Sequence, residues 1–536
     1  MPILKVDEKE IEVPQGTTVI EAAKKAGVFI PHYCYHPGLS IAGNCRMCLV
    51  EIEKAPKLQI SCNTPVAEGM VVHTKNERVK NAQQAVLEFL LINHPLDCPV
   101  CDQSGECELQ NYYMNYGLYE SRLMENKVKK PKAVPVGPTV MLDAERCVLC
   151  SRCVRFCDEI TGTNELGIIN RGDHTEITIA PDTELNNKYS GNVVDICPVG
   201  ALTDRDFRFK CRVWFLETSP SVCPGCSMGC NIEIHWNKQR PYQTPEERVM
   251  RIKPRFNEAV NKWWVCDEGR YGYHFIDKDR ILRPIKKVDG RLLQETSWDE
   301  AIEQVALLLS QSKGAGVIAS TNLTNEDLWV VKEIFEKHLP VQTMAYAWTK
   351  KPGYQDQFLI KSDKSPNTRG AQALGFQDKA QEIFSTALKG QIKTLILFGH
   401  NLIELLGKDT ADQIRSNVEN IIIIGSNRHE GLSLSNWVLP STVYAEKDGT
   451  FTNVQGRVQR IFRTFASLGE AREEWEILKM LGQKMGFKLD FQNSRAIFQA
   501  IAQVTPQFQG MSYEKLGSIG LTLNEEKMDP VGAHVG

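Results

Sequence analysis

The sequence predicts a multidomain chain in which small α+β modules precede a larger α/β domain. Three observations predict it. The chain has 536 residues, too many for one hydrophobic core. All 17 cysteines lie at or before Cys266, so the two halves differ in kind. Beyond about residue 285, strand-like apolar runs alternate with amphipathic helical ones, the pattern of a largely parallel sheet.

The elements follow in order. ILKVDEKEIEV alternates with period two and reads as a hairpin. GTTVIEAAKKAG reads as a short helix stopped by Gly27, and CLVEIE as a strand. Together they suit a small β-rich domain with one helix. ERVKNAQQAVLEFLLI, residues 77–92, sets Val79, Ala82, Val86, Phe89 and Leu90 on a helical stripe and delivers His94 at its end. VKKPKAVPVGP, residues 128–138, reads as an extended linker. SWDEAIEQVALLLSQSK and NEDLWVVKEIFEKHL read as helices, and GVIAS, TLILFG and NIIIIG as strands. The sequence after about 505 yields no pattern.

Composition excludes several classes. A net charge of −3 gives no reason to expect nucleic acid as a partner. The start, MPILKVDEKE, lacks a secretory pattern, and no apolar run reaches the ~18 residues of a membrane span. Cysteine at this density in such a chain points to metal or clusters rather than disulfides.

Four cysteine groups follow. Cys34, Cys45, Cys48 and Cys62 show a wide gap, a close pair and a distant fourth member. This is related to the plant-type [2Fe–2S] spacing, with zinc the other reading. Gly38 and Gly43 would let backbone amides approach the sulfurs. NHPLDCPVCDQSGECELQ holds Cys98, Cys101 and Cys107, one donor short of a site. His94 either completes it or caps the preceding helix through a carbonyl; Pro95 ends the helix and turns the chain toward the thiols. Cys147, Cys150, Cys153 and Cys157 form the bacterial ferredoxin run, with Cys197 in DICPVGAL. A second run would need cysteines where Asn187, Ser190 and Val193 stand. One [4Fe–4S] on Cys147, Cys150, Cys153 and Cys197 is therefore expected, leaving Cys157 a buried thiol. Cys223, Cys226, Cys230 and Cys266 again have [4Fe–4S] spacing, with structural zinc the alternative. Cys211 belongs to no group.

Some motifs are decoys. GAGVIA, from Gly314, matches a dinucleotide fingerprint but follows a helix and opens a strand, the reverse of what phosphate binding needs. Lys262, Trp263 and Trp264 could shield a cluster or simply pack.

Taken together, PHYCYHPGLSIAGNCRMCLVEI, NHPLDCPVCDQSGECELQ, RCVLCSRCVRFCDEI with GNVVDICPVGALT, and CPGCSMGC with WVCDEGRYGYHFI resemble the large iron–sulfur subunit (75-kDa, G-type) of respiratory complex I, the NADH:quinone oxidoreductase. The likeness continues through LRPIKK, SWDEAI and VLPSTVYAEKDGTFTNVQGRVQR, over roughly residues 1–480. It implies a β-grasp [2Fe–2S] ferredoxin domain over 1–76. A helical segment with linker covers 77–140 and binds a [4Fe–4S] through one histidine and three cysteines. A ferredoxin-like [4Fe–4S] domain over 141–218 follows. A [4Fe–4S] domain of molybdopterin-oxidoreductase type covers 219–275, and an α/β domain of that type without a metal-ligand cysteine covers 276–536. The resemblance makes His94 a cluster ligand. It implies an electron relay with one [2Fe–2S] and three [4Fe–4S] clusters, no molybdopterin and no substrate-converting site on this chain. The fourth cluster is expected off the main path. The implied partners are a flavin- and NADH-binding subunit, its [2Fe–2S] partner and the quinone-side peripheral-arm subunits. The implied location is cytoplasmic, peripheral to the inner face of the cell membrane. The chain is short for bacterial members of the family, and Cys157 is a departure from many of them.

Other readings separate on the cysteines. A molybdenum or tungsten enzyme such as a formate dehydrogenase usually ligates its metal through a cysteine after the fourth group, and none follows Cys266. An iron-only hydrogenase needs further cysteines in its C-terminal half. A relay within an NAD-linked hydrogenase or formate dehydrogenase complex remains the alternative, and a zinc scaffold the blandest reading.

Overall fold

The structure, a computed structural model, describes residues 1–118, 120–288, 292–312, 314–339 and 343–524. Lys313, the last residue of the expected SWDEAI helix, lies outside them. The fold separates into two units: Met1–Leu216 with Asn237–Arg240, and Glu217–Trp236 with the described residues from Pro241 on.

The first unit opens with a five-stranded sheet. Ile3–Val6 pairs antiparallel with Lys9–Glu12, as the alternation predicts, and parallel with Met70–His73. Leu49–Ile52 joins the other side of Met70–His73, followed by Gln59–Ile60. Helix Val19–Lys25 buries Val19, Ile20, Ala22 and Ala23 against Leu4, Val6, Val50 and Val72. Helix Glu77–Leu91 starts where the Asn76 side chain accepts the Val79 N–H at 3.0 Å. Its buried face runs through Val79, Gln83 and Leu87, not through Phe89, which is 74% exposed. Of the expected stripe, Val79 is buried and Val86 and Leu90 pack half-buried on the core, while Gln83 takes a core position that hydrophobicity would not assign it.

The 128–138 stretch is not a free linker. Val134–Pro135 pairs with Val140–Leu142, which pairs with Leu202–Asp204, and Val136 is buried. Helices Arg152–Glu159 and Asn192–Ile196 complete this module. Val193 and Cys157 are fully buried there. Burial pushes the Cys157 thiol up to about 12, so it stays neutral.

The second unit carries a three-stranded sheet built on Leu216–Val222, Asn231–Asn237 and Val249–Pro254, the last two antiparallel. Its main element is a seven-stranded sheet. Five strands are parallel, in spatial order Trp437–Pro440, Asn420–Gly425, Thr394–Phe398, Ala315–Ser320 and Thr343–Ala347. The hairpin Ile285–Val288 and Leu292–Glu295 adds an antiparallel edge. Alternate residues feed opposite faces: Ile396, Phe398, Ile422 and Ile424 one cluster, Leu395, Leu397, Ile421 and Ile423 another. GAGVIA forms the strand Ala315–Ser320, where Gly316 packs tightly on Ile383 and Ile392. NEDLWVVK is helical as expected, but Glu333–His338 continues as a π-helix. The tail beyond 505 forms short helices Pro506–Phe508 and Tyr513–Leu516 and the strand Leu521–Thr522, anchored by buried Phe508 and Leu516. Among the described residues no helix is long and apolar enough to cross a membrane.

Candidate iron–sulfur sites

The first group sits in the loop after helix Val19–Lys25. Gly43 and Arg46 take left-handed φ of 62° and 61°, which coils the chain around the sulfurs. The Cys34 N–H points at Cys45 Sγ at 3.4 Å. Cys34 lies within hydrogen-bonding reach of Cys45 and Cys62, and Cys62 of Cys48. Gly38 behaves differently from expectation: its N–H donates to His36 Nδ1 at 3.1 Å rather than to a sulfur.

The second group is built on the loop between helices Glu77–Leu91 and Glu108–Tyr116. Cys101 and Cys107 are buried and Cys98 is exposed. His94 does not cap its helix. Lys127 Nζ does, donating to Leu91 O and Ile92 O at 2.8 Å each. The His94 ring makes no hydrogen bond among the described residues. Burial first, then the Arg146 charge, pushes its pKa down to about 4, which keeps the imidazole neutral and able to donate a lone pair.

The third group lines a small closed cavity: Cys147, Cys150, Cys153 and Cys197, with Leu142, Val199 and Leu202 among its walls. Leu149 and Ser151 have left-handed φ of 52° and 59° on either side of Cys150. That backbone is costly for Leu149 and is tolerated because it wraps amides inward; the Leu149 N–H points at Cys147 Sγ at 3.4 Å.

The fourth group, Cys223, Cys226, Cys230 and Cys266, lines a second small cavity with Gly225, Gly229 and Gly269. Gly225 and Gly269 direct N–H groups at Cys223 and Cys266 sulfurs at 3.4 and 3.3 Å. A Cβ on Gly269 would come within 2.9 Å of Cys223 Sγ, so glycine is required there. Trp264, before Cys266, is buried.

These donor sets fit iron–sulfur cores. Burial pushes the Cys147, Cys150 and Cys266 thiols up to about 12 and Cys107 to about 11. Such cavities favour thiolates only around a positive centre.

Sequence reasoning missed the residues that join the groups. Arg155 donates to Cys34 O at 2.5 Å, and Arg152 to Tyr35 O at 2.7 Å and Ile196 O at 3.1 Å. Asn44 Nδ2 donates to Leu149 O at 3.1 Å. The first and third loops are thus pinned together. Arg146 pins the third to the second, donating to Asp97 Oδ2 at 2.9 and 3.1 Å. One hydrophobic cluster contains Cys34, Cys107 and Cys150, one from each of three groups. The signal was present as arginines at 146, just before the cysteine run, and at 152 and 155 inside it.

In the second unit a cavity of about 470 Å³ opens at the carboxyl ends of the parallel strands, lined by Ser320, Gly399, Gly425 and Ser441 and bordered by Cys223. Lys447 forms part of its lining and is held by Asp327 at 2.8 Å and Glu474 at 2.5 Å.

Family models match in chain order. They are a 2Fe-2S iron-sulfur cluster binding domain over 3–77, the NADH-ubiquinone oxidoreductase-G iron-sulfur binding region over 83–122 and the NADH-quinone oxidoreductase subunit 3 ferredoxin-like domain over 137–203. The molybdopterin oxidoreductase Fe4S4 domain follows over 216–278, and molybdopterin oxidoreductase over 363–484. Fold and donor sets thus define an iron–sulfur protein of the oxidoreductase class.

Relatives narrow this. The G-type NADH-quinone oxidoreductase subunit of Rickettsia conorii is 44% identical over 62% of this chain and 49% of its own length. The chain thus aligns with about half the length of that relative. The NADH-ubiquinone oxidoreductase 75 kDa subunit of Reclinomonas americana is 30% identical over 94% of this chain and 91% of its own length. The chain belongs to this family, the large iron–sulfur subunit of NADH-quinone oxidoreductase. A chain of an NAD+-reducing [NiFe]-hydrogenase is 32% identical over 40% of this chain and 91% of its own, with a TM-score of 0.36.

Proposed function

We propose that this chain is the electron-relay subunit of an NADH:quinone oxidoreductase, complex I. It would receive electrons from the flavin- and NADH-binding subunit with its [2Fe–2S] partner and pass them to the quinone-side subunits. Iron–sulfur clusters, when bound, supply one-electron carriers. The chain's own residues hold, shield and space them. Cys34, Cys45, Cys48 and Cys62 would hold a [2Fe–2S]. Cys147, Cys150, Cys153 and Cys197 would hold a [4Fe–4S], as would His94 with Cys98, Cys101 and Cys107. Cys223, Cys226, Cys230 and Cys266 would hold the fourth cluster, in the other unit and off this line. We place the domain limits at 1–76, 77–140, 141–218, 219–275 and 276–536.

The observation that carries the reading is the joint of the first three groups. The third group meets both others: Arg155 reaches Cys34 O, and Gly200, three residues after Cys197, abuts Cys101 Sγ. Short spacing between buried donors is what a relay needs.

No step is assigned to a molybdenum cofactor. Among the residues lining the 470 Å³ cavity the only thiol is Cys223, which belongs to the fourth group, so no soft donor is left over. The chain is proposed to work in the cytoplasm against the inner face of the membrane, held there by its partners. Purification of the native complex tests this. Co-purification with a flavin subunit and quinone-dependent NADH oxidation supports it. Co-purification with a hydrogenase or formate dehydrogenase subunit contradicts complex I as the host.

A further inference from the structure

We infer that Arg146 is the positioning residue that joins the second and third donor sets and raises the reduction potential of the His94-containing site. This rests on the relay reading above.

Arg146 immediately precedes Cys147, on the turn Ala144–Arg146, and is only 5% exposed. Its Nε and one terminal nitrogen grip Asp97 Oδ2 at 3.1 and 2.9 Å, and Asp97 immediately precedes Cys98. Its other terminal nitrogen reaches Asp143 Oδ2 at 3.3 Å and Gly200 O at 3.5 Å. A Cβ added to Gly200 would collide with Cys101 Sγ and would lie 3.8 Å from Arg146 Cδ. The arginine stem and the Cys101 sulfur therefore flank the same point. The guanidinium ties together the segments that carry Cys98, Cys147 and Cys197.

The electrostatics give this arrangement a consequence. Reduction adds one negative charge to a cluster. A buried cation beside the donors favours the reduced state, because the interaction is weakly screened there. Asp97 and Asp143 offset part of that charge. Lys132 at 2.9 Å from Asp97, and Arg208 at 3.0 Å from Asp143, in turn neutralise the carboxylates. Glu145, 2.8 Å from Lys132, completes the network. Arginine suits the position because it stays charged when buried and its fork satisfies three acceptors in fixed directions.

The test is an EPR-monitored redox titration of the full-length chain carrying its clusters, with iron counted first. In Arg146→Gln the His94 site should be about tenfold less reduced at a given potential, which is ~59 mV for a one-electron couple. The first and fourth sites should be unmoved, and Arg146→Lys should recover most of the shift. Full iron content with an unchanged potential overturns the inference. If Arg146→Gln loses this cluster, Asp97→Asn decides: it keeps the cation and removes its counter-charge, so the potential should rise. An unchanged or lowered potential in Asp97→Asn overturns the inference. A wild-type chain that holds no such cluster would instead sink the relay reading itself.

Discussion

In the parallel sheet of the second unit, successive residues of Thr394–Phe398 are all buried, and Leu395 to Phe398 divide by parity between two hydrophobic clusters. In the first unit, the stretch from Cys98 to Cys157 has only short elements, left-handed residues at Leu149 and Ser151, and cysteines where a core would have leucine. The parallel sheet is held by side chains that need no cofactor. The cysteine loops are shaped to surround something, and their buried arginines and aspartates hold that shape from outside. The cysteine loops should therefore respond to loss of metal and the parallel sheet should not.

Removing iron with a chelator under reducing conditions gives the largest expected effect. Hydrogen exchange should rise across 31–48, 98–110 and 147–157, while Leu395–Leu397 and Ile421–Ile424 stay protected. Equal loss of protection in both regions would break the comparison. Lys447→Met comes next, in the opposite direction. It leaves the buried Asp327 and Glu474 carboxylates without their cation, costing about 3–5 kcal/mol in the second unit. Unfolding followed by the second unit's tryptophans should shift, with the iron of the first three groups retained.

A pH effect sharpens the same contrast. Burial raises Glu326 from 4.5 to about 7, with Tyr513 hydroxyl donating to it at 2.8 Å. The raised pKa contributes stability that is whole below about pH 4.5 and is lost as pH rises through about 7. The second unit should melt lower at pH 8 than at pH 5. Glu326→Gln should flatten that slope; calorimetry of wild type and variant side by side would measure it. The smallest effect is Asn76→Ala, which removes the cap of helix Glu77–Leu91 and costs ~1 kcal/mol of local stability in the first unit alone. Exchange rates at Val79 and Lys80 would report it.

How far the sequence could be read follows the same division. Three of the five parallel strands were legible because apolar runs between amphipathic helices have few other solutions, while Thr343–Ala347 and Trp437–Pro440, which carry polar or aromatic residues, were not. The close cysteines of each proposed donor set stood out because their spacing is local along the chain. The residues that join donor sets were not, since Arg146, Arg152 and Arg155 look like solvated charges until their acceptors, 97, 35 and 34, are brought beside them by the fold. Lys127 was missed for the same reason: it caps a helix that ended 36 residues earlier. Phe89 misled because it matches the helical period yet faces outward. The tail after 505 stayed unreadable because four-residue and two-residue elements carry no period.

The central claim is that the four donor sets each hold an iron–sulfur cluster and that the 470 Å³ cavity holds no metal. Elemental and acid-labile sulfide analysis of anaerobically purified full-length protein tests it most directly. The account predicts about fourteen iron atoms per chain with matching sulfide, no molybdenum or tungsten, and about four irons fewer in His94→Ala. Stoichiometric molybdenum or tungsten, or zinc in place of iron, would contradict it.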